Sequence, residues 1–368
     1  MARSFSTPSY SPARTHWQNS FYYLDISSAP VHANSAAALN TTKSYHQGFG
    51  RNWIEFNPYT TTNWNSLIFE FFGFYPEPQG SYSQYPASYF VDTYPYPTTY
   101  STSTWVFPPA GGNNSNGSTH GWFADLRAEN ARGNGTGAFF LNYLSGDRHT
   151  IMWAEQDNKL VESTGYTVLS NAPNAENVVT FDLNNYTLPM NGASPCGVIA
   201  ARVPLAPMLF NYNDLVACGS TGDLGHMVGW VAKDYSNTYE WPARLTDGEQ
   251  TNGGLWAGSV IRLKPDFPVN SLPNNPLRAF ARTLQKYGAM LYDKNFNRAV
   301  FGVPSDSNWP TGFAGGVQAF TYDSFEVVDM SGYKVSTHSI EVASSTPAYS
   351  TGALDQLAAR IAQLEGLV

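Results

Sequence analysis

Asn177-Val178-Val179-Thr180-Phe181-Asp182-Leu183 decides the fold class, together with His149-Thr150-Ile151-Met152-Trp153 before it and Val228-Gly229-Trp230-Val231-Ala232 and Gly258-Ser259-Val260-Ile261-Arg262-Leu263 after it. Each run has strand length, is rich in β-branched and aromatic residues, and is followed at a short interval by another. That recurrence marks a sandwich or barrel. Outward from these runs, Gly137-Ala138-Phe139-Phe140-Leu141, Phe21-Tyr22-Tyr23-Leu24, Trp53-Ile54-Glu55-Phe56 and Leu67-Ile68-Phe69-Glu70-Phe71-Phe72 read as further strands. Tyr75-Pro76-Glu77-Pro78-Gln79-Gly80 and Tyr94-Pro95-Tyr96-Pro97 forbid helix and interrupt any central strand. The expected fold is mainly β: one antiparallel β-sandwich of jelly-roll type over residues 21–343, with a few short helices. Residues 1–20, rich in Ser, Thr and Pro, read as an N-terminal arm.

Composition narrows the function. The chain of 368 residues carries 20 basic and 28 acidic side chains, 13% of the total, about half of the roughly 25% of ordinary soluble chains. Aromatic residues reach 15% and include 10 Trp, 23 Tyr and 22 Phe, which excludes a disordered solvating protein. The formal charge of −8 with scattered basic residues offers no track for a phosphate backbone, so nucleic acid is not an expected partner. No apolar run approaches the roughly 20 residues that span a bilayer, so membrane insertion is not expected. Met1-Ala2-Arg3-Ser4-Phe5-Ser6-Thr7-Pro8 lacks the basic start and apolar stretch of a secretory signal. A surface rich in Asn, Ser, Thr, Tyr and Trp nevertheless suits an extracellular setting. A virion protein released by host lysis reconciles the two.

Local signals place two helices and a tail. Pro276 at the start, Leu277, Phe280, Ala281, Leu284 and Tyr287 at helical spacing, and Gly288 at the end predict a helix. Ala289-Met290-Leu291-Tyr292, a turn through Asp293-Lys294-Asn295, and Ala299-Val300-Phe301 predict a hairpin after it; a less regular helix is expected over 201–210. After the Ser/Thr-rich linker 344–351, residues 352–368 carry Leu354, Leu357, Ile361, Leu364 and Val368 at spacings of 3, 4, 3 and 4, an a/d seam. Arg360 at g and Glu365 at the following e favour parallel partners. Two heptads are marginal alone, so the seam either clasps copies of the chain, a trimer being favoured, or packs back onto the β domain.

Strong catalytic signatures are absent, as are a phosphate-cradling glycine loop and a metal-ligand set; no cofactor is implied. What remains is a polar set on strands. His149, His226 and Glu162 could supply general acid/base work, and Arg244 with Arg262 could neutralise an anion such as a uronate. The plainer alternative is ion pairing that fixes the sandwich. Trp122, Trp64, Tyr94, Tyr96 and Tyr100 lie in Gly-, Pro-, Asn- or Thr-rich segments, where exposed rings would stack on sugar faces. Cys196 and Cys218 read as buried thiols or as a disulfide between neighbouring strands.

The block from Ala200-Ala201-Arg202-Val203-Pro204-Leu205-Ala206-Pro207-Met208-Leu209 through Tyr239-Glu240-Trp241-Pro242-Ala243-Arg244 to Leu284-Gln285-Lys286-Tyr287-Gly288-Ala289, with Asp147-Arg148-His149 ahead of it, resembles a group of secreted β-rich bacterial proteins of unknown function. Members often sit beside carbohydrate-active modules. The heptad tail resembles those ending minor tail and fibre proteins of phages. Together these resemblances imply a tail-associated phage protein, probing host cell-surface polysaccharide as a homo-oligomer alongside other virion proteins. The alternatives are a glycan hydrolase or lyase using the His/Glu/Arg set, and a capsid decoration or purely architectural subunit.

Overall fold

Two five-stranded sheets and the loops between them share a core that starts at Trp17. The computed structural model describes residues 16–47, 68–71, 100–101, 105–106, 149–154, 158–164, 167–169, 172–175, 177–295, 299–303 and 309–343. The strands in chain order are β1 (Ile68–Phe71), β2 (Tyr100–Ser101), β3 (Trp105–Val106), β4 (His149–Ala154), β5 (Lys159–Thr164), β6 (Thr167–Leu169), β7 (Ala172–Ala175), β8 (Asn177–Asp182), β9 (Met190–Asn191), β10 (Ser194–Pro195), β11 (Val228–Ala232), β12 (Val260–Leu263), β13 (Ala289–Lys294), β14 (Val300–Phe301) and β15 (Phe325–Val328). The helices are α1 (Ser35–Gln47), α2 (Tyr212–Ala217), α3 (Asn275–Lys286) and α4 (Thr311–Val317). Strands with few helices give a mainly β fold.

The first sheet runs β1-β4-β5-β8-β2 and the second β14-β11-β13-β12-β15. Each contains one parallel pair, β1 with β4 and β11 with β13, so the sheets are mixed rather than antiparallel throughout. The reason lies in the connections: between β11 and β13 the chain makes β12 and α3, a detour long enough to re-enter the sheet in the same direction. Three local expectations are corrected. The strands at 289–294 and 300–301 form, but not as a hairpin, because β11 lies between them and pairs with both. Phe21–Tyr23 is a 3₁₀ turn rather than a strand, and of the helix expected over 201–210 only the turn Ala206–Met208 forms. Trp17, near which the N-terminal arm is expected to end, is part of the packed body: it has no exposed surface, and its Nε1 donates to the Asn185 carbonyl at 3.0 Å.

Helix α3 shows how sequence sets the second sheet. The Asn274 side chain accepts the Leu277 N–H at 3.0 Å, Pro276 occupies the first turn, and Gly288 at φ +72° ends the helix where a Cβ would press on Ile26 and Val260. Leu277, Phe280, Ala281 and Leu284 form its buried stripe. Phe280 anchors an aromatic cluster, with ring centroids 5.2 Å from Phe210, 5.0 Å from Phe301 and 5.7 Å from Phe320. Helix α1, unforeseen in the sequence, packs against β15, where Ser35 Oγ accepts the Val327 N–H at 2.8 Å.

The heptad residues Leu354, Leu357, Arg360, Ile361, Leu364 and Glu365 lie outside the described residues, as do the linker and the strands expected at 53–56 and 137–141. Phe280→Ala is expected to lower unfolding free energy by about 3–5 kcal/mol, whereas Val216→Ala, on a half-exposed helix face, stays within about 0.5 kcal/mol; urea unfolding of both variants checks the contrast.

Candidate functional site

Glu162 is the most unusual side chain in the fold. In β5 it alternates with Leu160, and across the ladder Glu162 faces Val179 while Leu160 faces Phe181. All four have 1% or less of their surface exposed, so a carboxyl group stands in the apolar face of the first sheet. Its Oε1 accepts the N–H of Leu205 at 2.7 Å and of Ala206 at 2.8 Å, while buried Oε2 has no partner. Burial pushes the carboxyl up to about 8, against the opposing pull of the two N–H groups. The same turn is held from the N-terminal side, where the Tyr22 hydroxyl donates to the Pro204 carbonyl at 2.7 Å. Burial, and then the Glu162 charge, raise the Tyr22 hydroxyl well above its ordinary value.

The arginines do similar work on irregular backbone. Arg244 is 3% exposed and donates through Nη1 to the carbonyls of Arg202 at 3.1 Å and Cys196 at 3.3 Å, and through Nη2 to Pro189 at 3.0 Å and to Met190 Sδ at 2.7 Å. Burial lowers its guanidinium to about 10. Arg262 stands opposite Glu326 in the β12–β15 ladder and pairs with it, Nη2 to Oε1 at 2.6 Å and Nε to Oε1 at 2.9 Å. Its Nη1 donates to the carbonyls of Ile26 and, at 3.0 Å, Ala29. Both arginines, expected to meet an anionic ligand, are turned inward. Their planar forks supply the several donors that buried carbonyls outside a ladder require.

The histidines are also internal. His149 begins β4, two positions before the residue opposite Glu162, and therefore shares that strand face; burial draws it down to about 4. His226 is 2% exposed and its Nδ1 donates to the Met227 carbonyl at 2.9 Å. Among the described residues no hydrogen bond or ion pair joins any two of His149, His226, Glu162 and Arg244. A nucleophile–base or acid–base couple, which needs hydrogen-bond reach, is not assembled by these four.

Of the proposed sugar-stacking residues, Trp122, Trp64, Tyr94 and Tyr96 lie outside the described residues, and Tyr100 occupies the ladder position opposite Val179. Cys196 is buried and Cys218 half-buried, the two are not joined in a disulfide, and the Cys218 thiol donates to the Asp214 carbonyl at 3.1 Å. An exposed stretch that the sequence reading did not select, Asn237-Thr238-Tyr239-Glu240, carries a 45% exposed tyrosine. Its Asn and Thr, with Gly248 and Asn252-Gly253-Gly254 nearby in the chain, were the available signal for a surface loop.

Among the described residues no group of three or more His, Cys, Asp or Glu is placed to hold a metal ion, and no helix is long and apolar enough to cross a membrane. Comparison with protein-family models, curated proteins and solved structures finds no match to this chain.

The pH dependence follows from Glu162 and His149. A carboxyl raised in the fold gives stability that is present below its unfolded value of 4.5 and lost as pH climbs to about 8. A histidine lowered in the fold gives stability that is lost as pH falls from 6.5 to about 4. Between pH 6.5 and 8 the raised Glu162 carboxyl should by itself cost the native protein stability on the order of 1 kcal/mol per pH unit. Glu162→Gln, which keeps the acceptor oxygen and cannot ionise, should flatten the slope in urea unfolding across that range. Arg262→Ala, which strands Glu326 and two carbonyls, should cost about 3–5 kcal/mol by the same measurement.

Proposed function

We propose that the chain is a virion structural protein of a phage, tail-associated as a minor tail or receptor-binding component, that binds host cell-surface glycan as a homotrimer. The observation that carries this reading is the placement of the four ionisable side chains an enzyme of this composition would use. His149, His226, Glu162 and Arg244 are each at most 7% exposed, and the last three bond the protein's own main chain. That disposition favours structural use of the few charges and leaves recognition to uncharged surface. The β body, expected from sequence to be a jelly-roll sandwich, would present loops to the glycan with its sheets in mixed form. The heptad residues Leu354, Leu357, Ile361 and Leu364, with Arg360 and Glu365 across the seam, would clasp three copies as a coiled coil. Weak single contacts would then be multiplied by avidity.

Light scattering tests the clasp. The full chain should have three times its 40.4 kDa mass, and a variant ending at Thr351 should approach one. A single-chain mass for both contradicts the homotrimer. Release of reducing ends from a bacterial polysaccharide, abolished by Glu162→Gln in a protein that still folds, would instead favour the hydrolase.

A further inference from the structure

The loop between β11 and β12 is built like a recognition surface. Its two arms are tied by main-chain bonds, Asn237 N–H to the Gln250 carbonyl at 2.9 Å and Gln250 N–H to the Tyr235 carbonyl at 3.0 Å. Side chains brace them further: Tyr235 donates to Asp247, Gln250 to Asp234, and Lys294 to Glu249 at 2.5 Å. The exposed edge 237–240 is fixed to the second sheet's approach, where Ala257 N–H donates to the Thr238 carbonyl at 3.2 Å and Glu240 N–H to the Ala257 carbonyl at 3.0 Å. Immediately after it, Trp241 is buried and its Nε1 donates to the Ser339 carbonyl at 2.9 Å. A rigid frame thus holds Tyr239 in solvent.

Among the described residues Tyr239 is the exposed residue among Phe, Trp and Tyr, 45% open, and it is flanked by exposed Asn237, Thr238 and Glu240, the Thr238 hydroxyl pairing with Ser236 Oγ at 2.9 Å. A fixed tyrosine gives contact area at small entropic cost, and amides and hydroxyls beside it give adaptable hydrogen bonding. A sugar ring, with an apolar C–H face and a rim of hydroxyls, matches that pairing. The charge on the loop selects further. Asp234, Glu240, Asp247 and Glu249 stand against Lys233 and Lys294, with Lys294 held by Glu249 and Arg244 turned into the interior. A carboxylated sugar would meet like charge there.

We infer that the Asn237–Glu240 edge, with Tyr239 as its stacking face, is a binding site for an uncharged polysaccharide. The inference rests on the glycan-binding reading above and gives that reading a site and a ligand class. The probe is an array of neutral and uronate-bearing bacterial polysaccharides, dextran and alginate among them, presented to the full-length protein. The native chain should bind a neutral member. Tyr239→Ala should weaken that binding at least about tenfold, as expected of an anchoring tyrosine. Tyr239→Phe should retain most of it, and both variants should keep the native thermal midpoint because the ring is exposed. Neutral binding that survives Tyr239→Ala overturns this site and leaves the glycan-binding reading intact. Binding confined to uronate-bearing members overturns the ligand class. Failure of the native chain to bind any member overturns the site and the broader reading together.

Discussion

One carboxyl group, set in the apolar face of the first sheet and closed on the backbone of Leu205 and Ala206, joins the two halves of the fold. The turn it grips leads through Met208 to the second sheet, where the Met208 side chain lies beside Gly229 of β11. Tyr22 holds the preceding residue, Pro204, from a segment remote in sequence. Three distant stretches of chain therefore meet at three consecutive residues. A turn of this kind, buried and outside any ladder, leaves main-chain donors and acceptors that must be matched within the protein. Glu162 and Tyr22 match them.

The same demand explains where the rest of the scarce charge has gone. Strands in the second sheet are four to six residues long at its centre and shorter at one edge, so long irregular connections cross the interior. Arg244 serves carbonyls at 189, 196 and 202, and Arg262 serves carbonyls at 26 and 29 while pairing with Glu326. Lysine, with one compact ammonium group, could not span such separated acceptors. A chain with 13% charged residues can place several of them inside because each closes contacts that the loops leave open. What then faces solvent in the 234–254 region is mostly amide, hydroxyl and carboxylate, with Tyr239 and Leu245 the exposed large apolar side chains there.

Local structure was the legible part of the sequence. Helix α3 announced both ends through Pro276 and Gly288, and β4, β8, β11 and β12 announced themselves by run length and β-branched content. Pairing was less so: nothing local to Val300–Phe301 records that β11, seventy residues earlier by rough count, would take the place beside it. Burial of charge was least legible. Alternation puts Glu162 on the side of Leu160, yet a strand written Lys-Leu-Val-Glu-Ser-Thr can face either way until the partners across the ladder are known. Arg262 posed the same ambiguity, since its inward direction depends on carbonyls 233 and 236 positions away.

If internal closure of the backbone by Glu162 unites the two sheets, the amide hydrogens of Leu205 and Ala206 must be among the slowest to exchange. Native-state hydrogen exchange measures this directly. The account predicts that both amides exchange only with global unfolding, together with those of the central strands β5 and β13. Exchange of the Leu205 and Ala206 amides at rates near those of free peptide, while β5 and β13 stay protected, would contradict it.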